Sequence, residues 1–169
     1  MIKSETNTNA EKLGFRKLET AAIVNELNTA IATYQVFFHK LQNFHWNVVG
    51  GDFFDIHDIT QEMYETALED IDELAERVRV FGQVPIYKMS AYLDRSLVQE
   101  SQSDLSSEFM ARQITSDLQI LIETLIGFHE AASANGDIGS TYMASKMVKK
   151  IETHHWKLTA WCDRRFKTS

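Results

Sequence analysis

Hydrophobic residues recur at steps of three and four through four long stretches of this chain, the spacing that keeps them on one face of a helix. The first stretch, from about Leu18 to Val48, carries Ile23, Leu27, Ile31, Tyr34, Phe38, Leu41, His45 and Val48 on its seam. The second, from about Phe54 to Phe81, carries Ile56, Met63, Ala67, Ile71, Leu74 and Val78. The third starts at Ser106-Ser107, either of which suits a helix cap, with Glu108 in the first turn. Its seam is Met110, Ile114, Leu118, Leu121, Leu125 and Phe128, and Asn135-Gly136 ends it. The fourth runs from about Gly139 to Arg165 along Met143, Met147, Ile151, His154, Leu158 and Trp161. Residues 82–106 form a connection too long to lack structure, so a short helix is expected near Ala91 to Arg95. A connection of that length lets the third helix run parallel to the second, giving an all-α four-helix bundle with one crossover.

Composition sharpens this picture. One Pro and seven Gly in 169 residues leave little to interrupt long helices. The length suits one domain, a bundle over 18–165, with a flexible N-terminal tail over 1–17 and a short tail over 166–169. Each end is locally basic, with a net charge of +2 from Lys3, Lys12, Arg16 and Lys17 against Glu5 and Glu11, and +2 again from Arg164, Arg165 and Lys167 against Asp163. The whole chain carries −7, which opposes binding of DNA or an anionic membrane by the body and favours cations. A single cysteine, Cys162, excludes an intrachain disulfide and fits a reducing compartment. No apolar run approaches the ~20 residues of a membrane span, and no signal-peptide pattern opens the chain. The expected location is the cytoplasm, nucleoid-associated if the tails hold DNA.

The stretch His45–Glu76 carries the candidate chemistry. Gly50-Gly51 marks the turn between the first two helices, and His45 and His57 lie six residues to either side of Gly51. Positions equidistant from such a turn face each other across an antiparallel pair, so the two imidazoles can converge. Asp72 and Glu76, four apart, share one face of the second helix. Imidazole and carboxylate together suit iron, zinc or manganese. His57 and Asp72, however, are about 22 Å apart along one helix, while a metal bonds each ligand at roughly 2 Å. Either the two pairs are unrelated, or a second copy related by a two-fold axis brings them together. On the same stripe, Glu73 with Arg77 four residues on reads as a solvated ion pair, and Glu76 has Arg79 at three. His154 reads as a core histidine, and His39 has no evident role.

The run His45-Trp46-Asn47, then Gly50, Phe53-Phe54, His57, Asp72 and Ala75-Glu76-Arg77 resembles the signature of the Dps family, the mini-ferritins. The resemblance spans roughly Leu18 to Trp161 and is most specific from His45 to Arg77. It implies a ferritin-like bundle assembled as a homo-dodecamer. It also implies ferroxidase sites at two-fold interfaces, with His45 and His57 from one subunit and Asp72 and Glu76 from its neighbour. The implied substrate is iron, Fe(II) oxidised to Fe(III) by hydrogen peroxide or oxygen and stored as mineral, which protects DNA from oxidative damage. Family members usually carry a further carboxylate four residues after the second histidine, where this chain has Gln61. Glu62 is adjacent but about 100° further round the helix. The family's acidic three-fold pores correspond to a loop with Asp137 followed by Gly139, Ser140 and Thr141, only weakly acidic here. Trp46, beside His45, is an interface aromatic or a trap for stray oxidising equivalents.

Two other functions compete. A di-iron enzyme with its site inside one subunit needs two Glu-x-x-His motifs on separate helices, and the chain has one, Glu152 to His155. A DNA-compacting module with secondary metal chemistry would draw on the basic tails, with many copies adding avidity. A salt-dependent gel shift with and without residues 1–17 separates that reading from the ferroxidase. The sequence contains no P-loop, dinucleotide-binding glycine pattern, CxxC or HExxH, and nothing marks Cys162 as a nucleophile.

Overall fold

A computed structural model describes residues 17–164. The segments 1–16 and 165–169, with most of both expected tails, lie outside the described residues. Five helices follow in order: α1 Lys17–Asn47, α2 Phe53–Val80, α3 Met89–Arg95, α4 Ser107–Ala134 and α5 Ile138–Arg164. No strand occurs among the described residues. No helix among them is long and apolar enough to cross a membrane.

The seams become the core. Ile23, Leu27, Leu41, Leu74, Ile114, Leu121 and Phe128 are among the fully buried side chains that the four long helices turn toward each other. Three seam positions differ from expectation: Phe38, Met143 and Trp161 are only half-buried, while their neighbours Phe37, Ala144 and Cys162 are buried. Phe38 turns its ring edge-on to His39 and Tyr64 at the margin of the core, and Trp161 donates its indole N–H to Asp55.

Pairings along the helices give their directions. His45 meets His57 and Phe38 meets Tyr64, so α1 and α2 run antiparallel about the turn. Gly50 makes that turn with φ 98°, a conformation open to glycine because it lacks a Cβ. Lys157–Glu62, Lys150–Asp70 and Lys146–Glu73 join α5 to α2, one number falling as the other rises, so these helices are also antiparallel. The connection after α2 starts beside the first half of α1, where Asn28 accepts from the Ile86 amide and Arg95 donates to Thr29 and the Asn25 carbonyl. It ends near the other end of α1, where Asn43 donates to the Ser101 carbonyl. The crossover has therefore travelled the length of the bundle. α4 starts beside the start of α2, with Ser107 donating to Asp52 at 2.7 Å, and the two run parallel as expected. Ser106 caps α4 by accepting from the Phe109 amide.

Two charge pairs tie the helices together inside. Lys40 of α1 reaches Asp117 of α4 at 2.7 Å, both side chains almost fully buried. Lys150 reaches Asp70 at 2.6 Å. Burial pushes both aspartate carboxyls up, and the lysine contacts only partly offset it. Removing one member of such a pair costs far more than the pair contributes, because a buried charge is left alone.

Candidate metal centre

His45 lies in the last turn of α1, where backbone carbonyls lack helical partners. His57 fills that need: its Nδ1 donates to the His45 carbonyl at 2.9 Å. The exchange is reciprocal, with His45 Nδ1 donating to the His57 carbonyl at 2.8 Å. A carbonyl oxygen only accepts, so both imidazoles carry their proton on Nδ1. Each neutral ring then has its lone pair on Nε2, and the bond at Nδ1 fixes the ring and makes Nε2 a better donor to metal. The rings stack with centroids 3.7 Å apart and planes 20° apart. Phe53 stacks on the outer side of His57 at 4.8 Å, and Tyr64 meets His45 edge-on at 5.3 Å. The histidine pair is thus built within one chain, as the mirrored spacing about Gly51 required. Sequence reasoning had Phe53 in the signature without a role and missed Tyr64, although their spacings of four and seven from His57 place all three on one side of α2.

Asp72 and Glu76 present the opposite condition. Both are exposed on α2, and neither takes a hydrogen bond or ion pair from any described residue. Among the described residues no three His, Cys, Asp or Glu side chains converge as a metal would require. The histidine pair and the carboxylate pair stand apart within one chain, as helix length demands.

The neighbouring ion pairs differ from the local expectation. Glu73 does not meet Arg77; it accepts from Lys146 of α5 at 3.0 Å. Arg77 crosses instead to the start of α5, donating to Asp137 at 2.5 Å and Ser140 at 2.9 Å, with its guanidinium over the Phe81 ring. Arg79 turns to the Gln83 carbonyl rather than to Glu76. Helix spacing sees only neighbours on one helix, and buried acceptors on another outcompete a solvated partner. Gly139 leaves room for this: a Cβ there would lie 3.2 Å from Arg77 Nη2. Asp137 is buried and also accepts from the Ser140 amide. Burial opposes its ionisation, but the hydrogen bonds from Ser140 and Arg77 outweigh it and hold the carboxyl below the ordinary value. Asp137 is thereby engaged at the α2–α5 junction.

Gln61 is exposed and its amide donates to Glu65 at 2.8 Å. Glu62 is engaged by Lys157 at 3.3 Å, so it does not stand in for a carboxylate at position 61. Glu152 lies exposed beside a surface groove between α4 and α5, and His155 meets Gln119. The one Glu-x-x-His motif therefore does not enter the bundle interior. Trp46 is 68% exposed, beside the similarly exposed Val49 and Phe54.

A long-crossover bundle of this form is the ferritin-like fold, and the ferritin-like domain family matches residues 24–166. The DNA protection during starvation protein 2 of Bacillus anthracis is 32% identical over 142 residues, covering 84% of this chain and 97% of its own. Among solved structures, Dps of Vibrio cholerae O1 superposes with a TM-score of 0.85 at 29% identity, covering 88% of this chain and 94% of that one. It is described as a member of a broad superfamily of ferritin-like diiron-carboxylate proteins. Dps of Staphylococcus aureus gives a TM-score of 0.80 at 33% identity, over 83% and 94% of the two chains. This chain belongs to the Dps family of ferritin-like proteins.

Proposed function

We propose that this chain is the subunit of a dodecameric, iron-oxidising and iron-storing shell. Fe(II) is its substrate, held between subunits by His45 and His57 of one copy and Asp72 and Glu76 of the next. One observation carries the reading: the end of α1 and the start of α2 form a finished histidine pair, and two unpartnered carboxylates lie further along α2 on the face of His57. His57, Leu68, Asp72 and Glu76 fall within about 100° of each other around α2. Leu68 is 57% exposed between the two ligand pairs. An apolar side chain left bare on a charged face suits burial against a second α2 running the other way. Trp46, Val49 and Phe54 extend that apolar surface beyond the histidines.

The donor set fits ferrous iron. Two Nε2 atoms with fixed tautomers and two carboxylates offer nitrogen and oxygen ligands to a borderline dication, and the carboxylate charges favour the ferric product. Each hydrogen peroxide takes one electron from each of two Fe(II) ions, so the reaction removes both partners of hydroxyl-radical chemistry. DNA protection follows from that removal; with −7 per chain, the body itself does not attract the polyanion. A second iron is held more weakly, because the neutral Gln61 amide stabilises a dication less than a carboxylate does.

The test combines native mass with anaerobic Fe(II) loading followed by peroxide. The expected result is a particle of twelve chains that oxidises Fe(II) rapidly and retains Fe(III). Asp72→Ala/Glu76→Ala should keep the particle and lose the rapid phase. A stable monomer at micromolar concentration would end both the assembly and the shared site.

A further inference from the structure

The bundle centre holds polar side chains that iron oxidation between subunits leaves unused. Tyr34 of α1, Asp70 of α2, Leu118 and Leu121 of α4, and Lys150 and His154 of α5 border a cavity of about 20 Å³. That is room for one water molecule. His154 Nδ1 at this cavity has no hydrogen-bond partner among the described residues, and the Tyr34 hydroxyl, beside the Asp70 carboxylate, makes no well-aligned hydrogen bond. Both residues are more than nine-tenths buried. Asp70 is equally buried, and its carboxylate receives the Lys150 ammonium at 2.6 Å. The Lys150 side chain is 28% exposed, so it enters from the surface and brings its charge to the rim of the cavity.

A buried carboxylate needs a cation. In ferritin-like di-iron bundles that cation is metal, held in the core by carboxylates and histidines projecting inward from the facing helices. Here a carboxylate, an imidazole and a phenol still face one small void from three helices. We propose that Lys150 determines where metal does not bind: its ammonium is the resident counter-ion of Asp70 and keeps divalent metal out of the bundle centre, while one water bridges Tyr34 and His154. An ammonium satisfies the carboxylate and has no acceptor to offer a metal. A dication approaching Asp70 meets its charge first. Burial holds His154 below the ordinary histidine value, so the ring stays neutral and keeps a lone pair for metal once the ammonium is gone. Tyr34, buried and close to the Asp70 charge, stays a protonated phenol and serves as a hydrogen-bond donor. Metal is thereby left to sites outside the centre.

The experiment is run on the full chain in a background of His45→Ala, His57→Ala, Asp72→Ala and Glu76→Ala, so its outcome does not depend on the shared-site reading. Co(II) is titrated anaerobically by calorimetry and visible absorption, with and without Lys150→Met, which removes the ammonium and keeps most of the stem. The expected result is one additional Co(II) per chain in the Lys150→Met protein, with ligand-field bands absent from its parent. Adding Asp70→Asn or His154→Leu should remove that ion. A folded Lys150→Met protein that binds no additional Co(II), or an additional site that survives Asp70→Asn, overturns the proposal. Should Lys150→Met fail to fold without metal, Co(II) is expected to restore folding, and failure to do so counts equally against it.

Discussion

The two ends of α2 carry the two halves of the candidate metal centre, and they are built in opposite ways. Around His57, everything is finished inside one chain: reciprocal hydrogen bonds to carbonyls, a stacked partner ring and aromatic walls. Around Asp72 and Glu76, the side chains stand in solvent without partners, while Glu62, Asp70 and Glu73 of the same helix are each matched by a lysine of α5. The difference separates two jobs. Carboxylates facing α5 are matched across the helix pair, the buried Asp70 most tightly, and carboxylates turned outward, Asp72 and Glu76 among them, are available to something outside the chain. The histidine half is preorganised by the fold, whereas the carboxylate half would be completed only by assembly.

The comparison can be broken most forcefully where the carboxylate half is anchored. Arg77 adjoins Glu76 and fastens α2 to the start of α5 through the buried Asp137. Arg77→Met should destabilise the fold by about 3 kcal/mol, as an unpaired buried carboxylate does, measured by denaturant unfolding. A loss no larger than that of an exposed substitution would show that the junction is not what holds this end.

Next in size is the contrast between the halves themselves. His45→Ala/His57→Ala should cost roughly 2 kcal/mol, about 1 for each lost hydrogen bond, whereas Asp72→Ala/Glu76→Ala should stay within about 0.5 kcal/mol of the parent. Both double variants should lose rapid Fe(II) oxidation. Equal effects on unfolding would erase the distinction drawn here.

A smaller effect comes from His154, on the α5 side of α2. Its pKa is lowered from the ordinary 6.5 by burial, helped by Lys157 and Lys150 and opposed by Glu62. The folded chain therefore resists a proton that the unfolded chain accepts. The stabilisation from keeping the ring neutral is complete above about pH 6.5 and declines as the pH falls through that value toward the folded pKa. Asp70 and Asp117, with raised values, work in the other direction at lower pH. Comparing the native chain with His154→Leu isolates the histidine: the stability gap should change between pH 7.5 and 5.5, and a gap constant over that range would contradict it.

The smallest effect probes the weaker iron position. Gln61→Glu replaces a hydrogen bond to Glu65 by two like charges one turn apart, at a cost of about 0.2–0.5 kcal/mol without metal. With Fe(II) present under anaerobic conditions, the second binding event should strengthen. Unchanged metal stoichiometry and affinity would show that position 61 does not face the second ion.

Much of this comparison was legible in the sequence, for identifiable reasons. Helix ends followed from Ser106, Asn135-Gly136 and Gly50, and helix directions from the length of the 82–106 connection. The meeting of His45 and His57 followed from symmetry about one turn. These signals are local or depend on simple geometry. What the sequence hid was long-range. Lys40 finds Asp117 across 77 residues, and Lys150 finds Asp70 across 80. No spacing rule links such positions, and single lysines on apolar seams look like ordinary surface residues. The same blindness paired Arg77 with Glu73, its helical neighbour, when the buried Asp137 lay 60 residues on. Asp72 and Glu76 were legible as a pair because a spacing of four is a local property, although Arg79, three residues from Glu76, turns to the Gln83 carbonyl instead.

The central claim, that each metal centre is shared between two chains, is tested most directly by mixing. Subunits carrying His45→Ala/His57→Ala are combined with subunits carrying Asp72→Ala/Glu76→Ala, dissociated and reassembled, and Fe(II) oxidation by peroxide is followed. Each parent shell alone should be inactive. At every two-fold interface joining the two kinds of chain, one centre would lose all four ligands and the other would regain all four. The account predicts that oxidation returns in part on mixing, in proportion to the fraction of mixed interfaces seen by native mass. Mixed shells as inactive as their parents would contradict it.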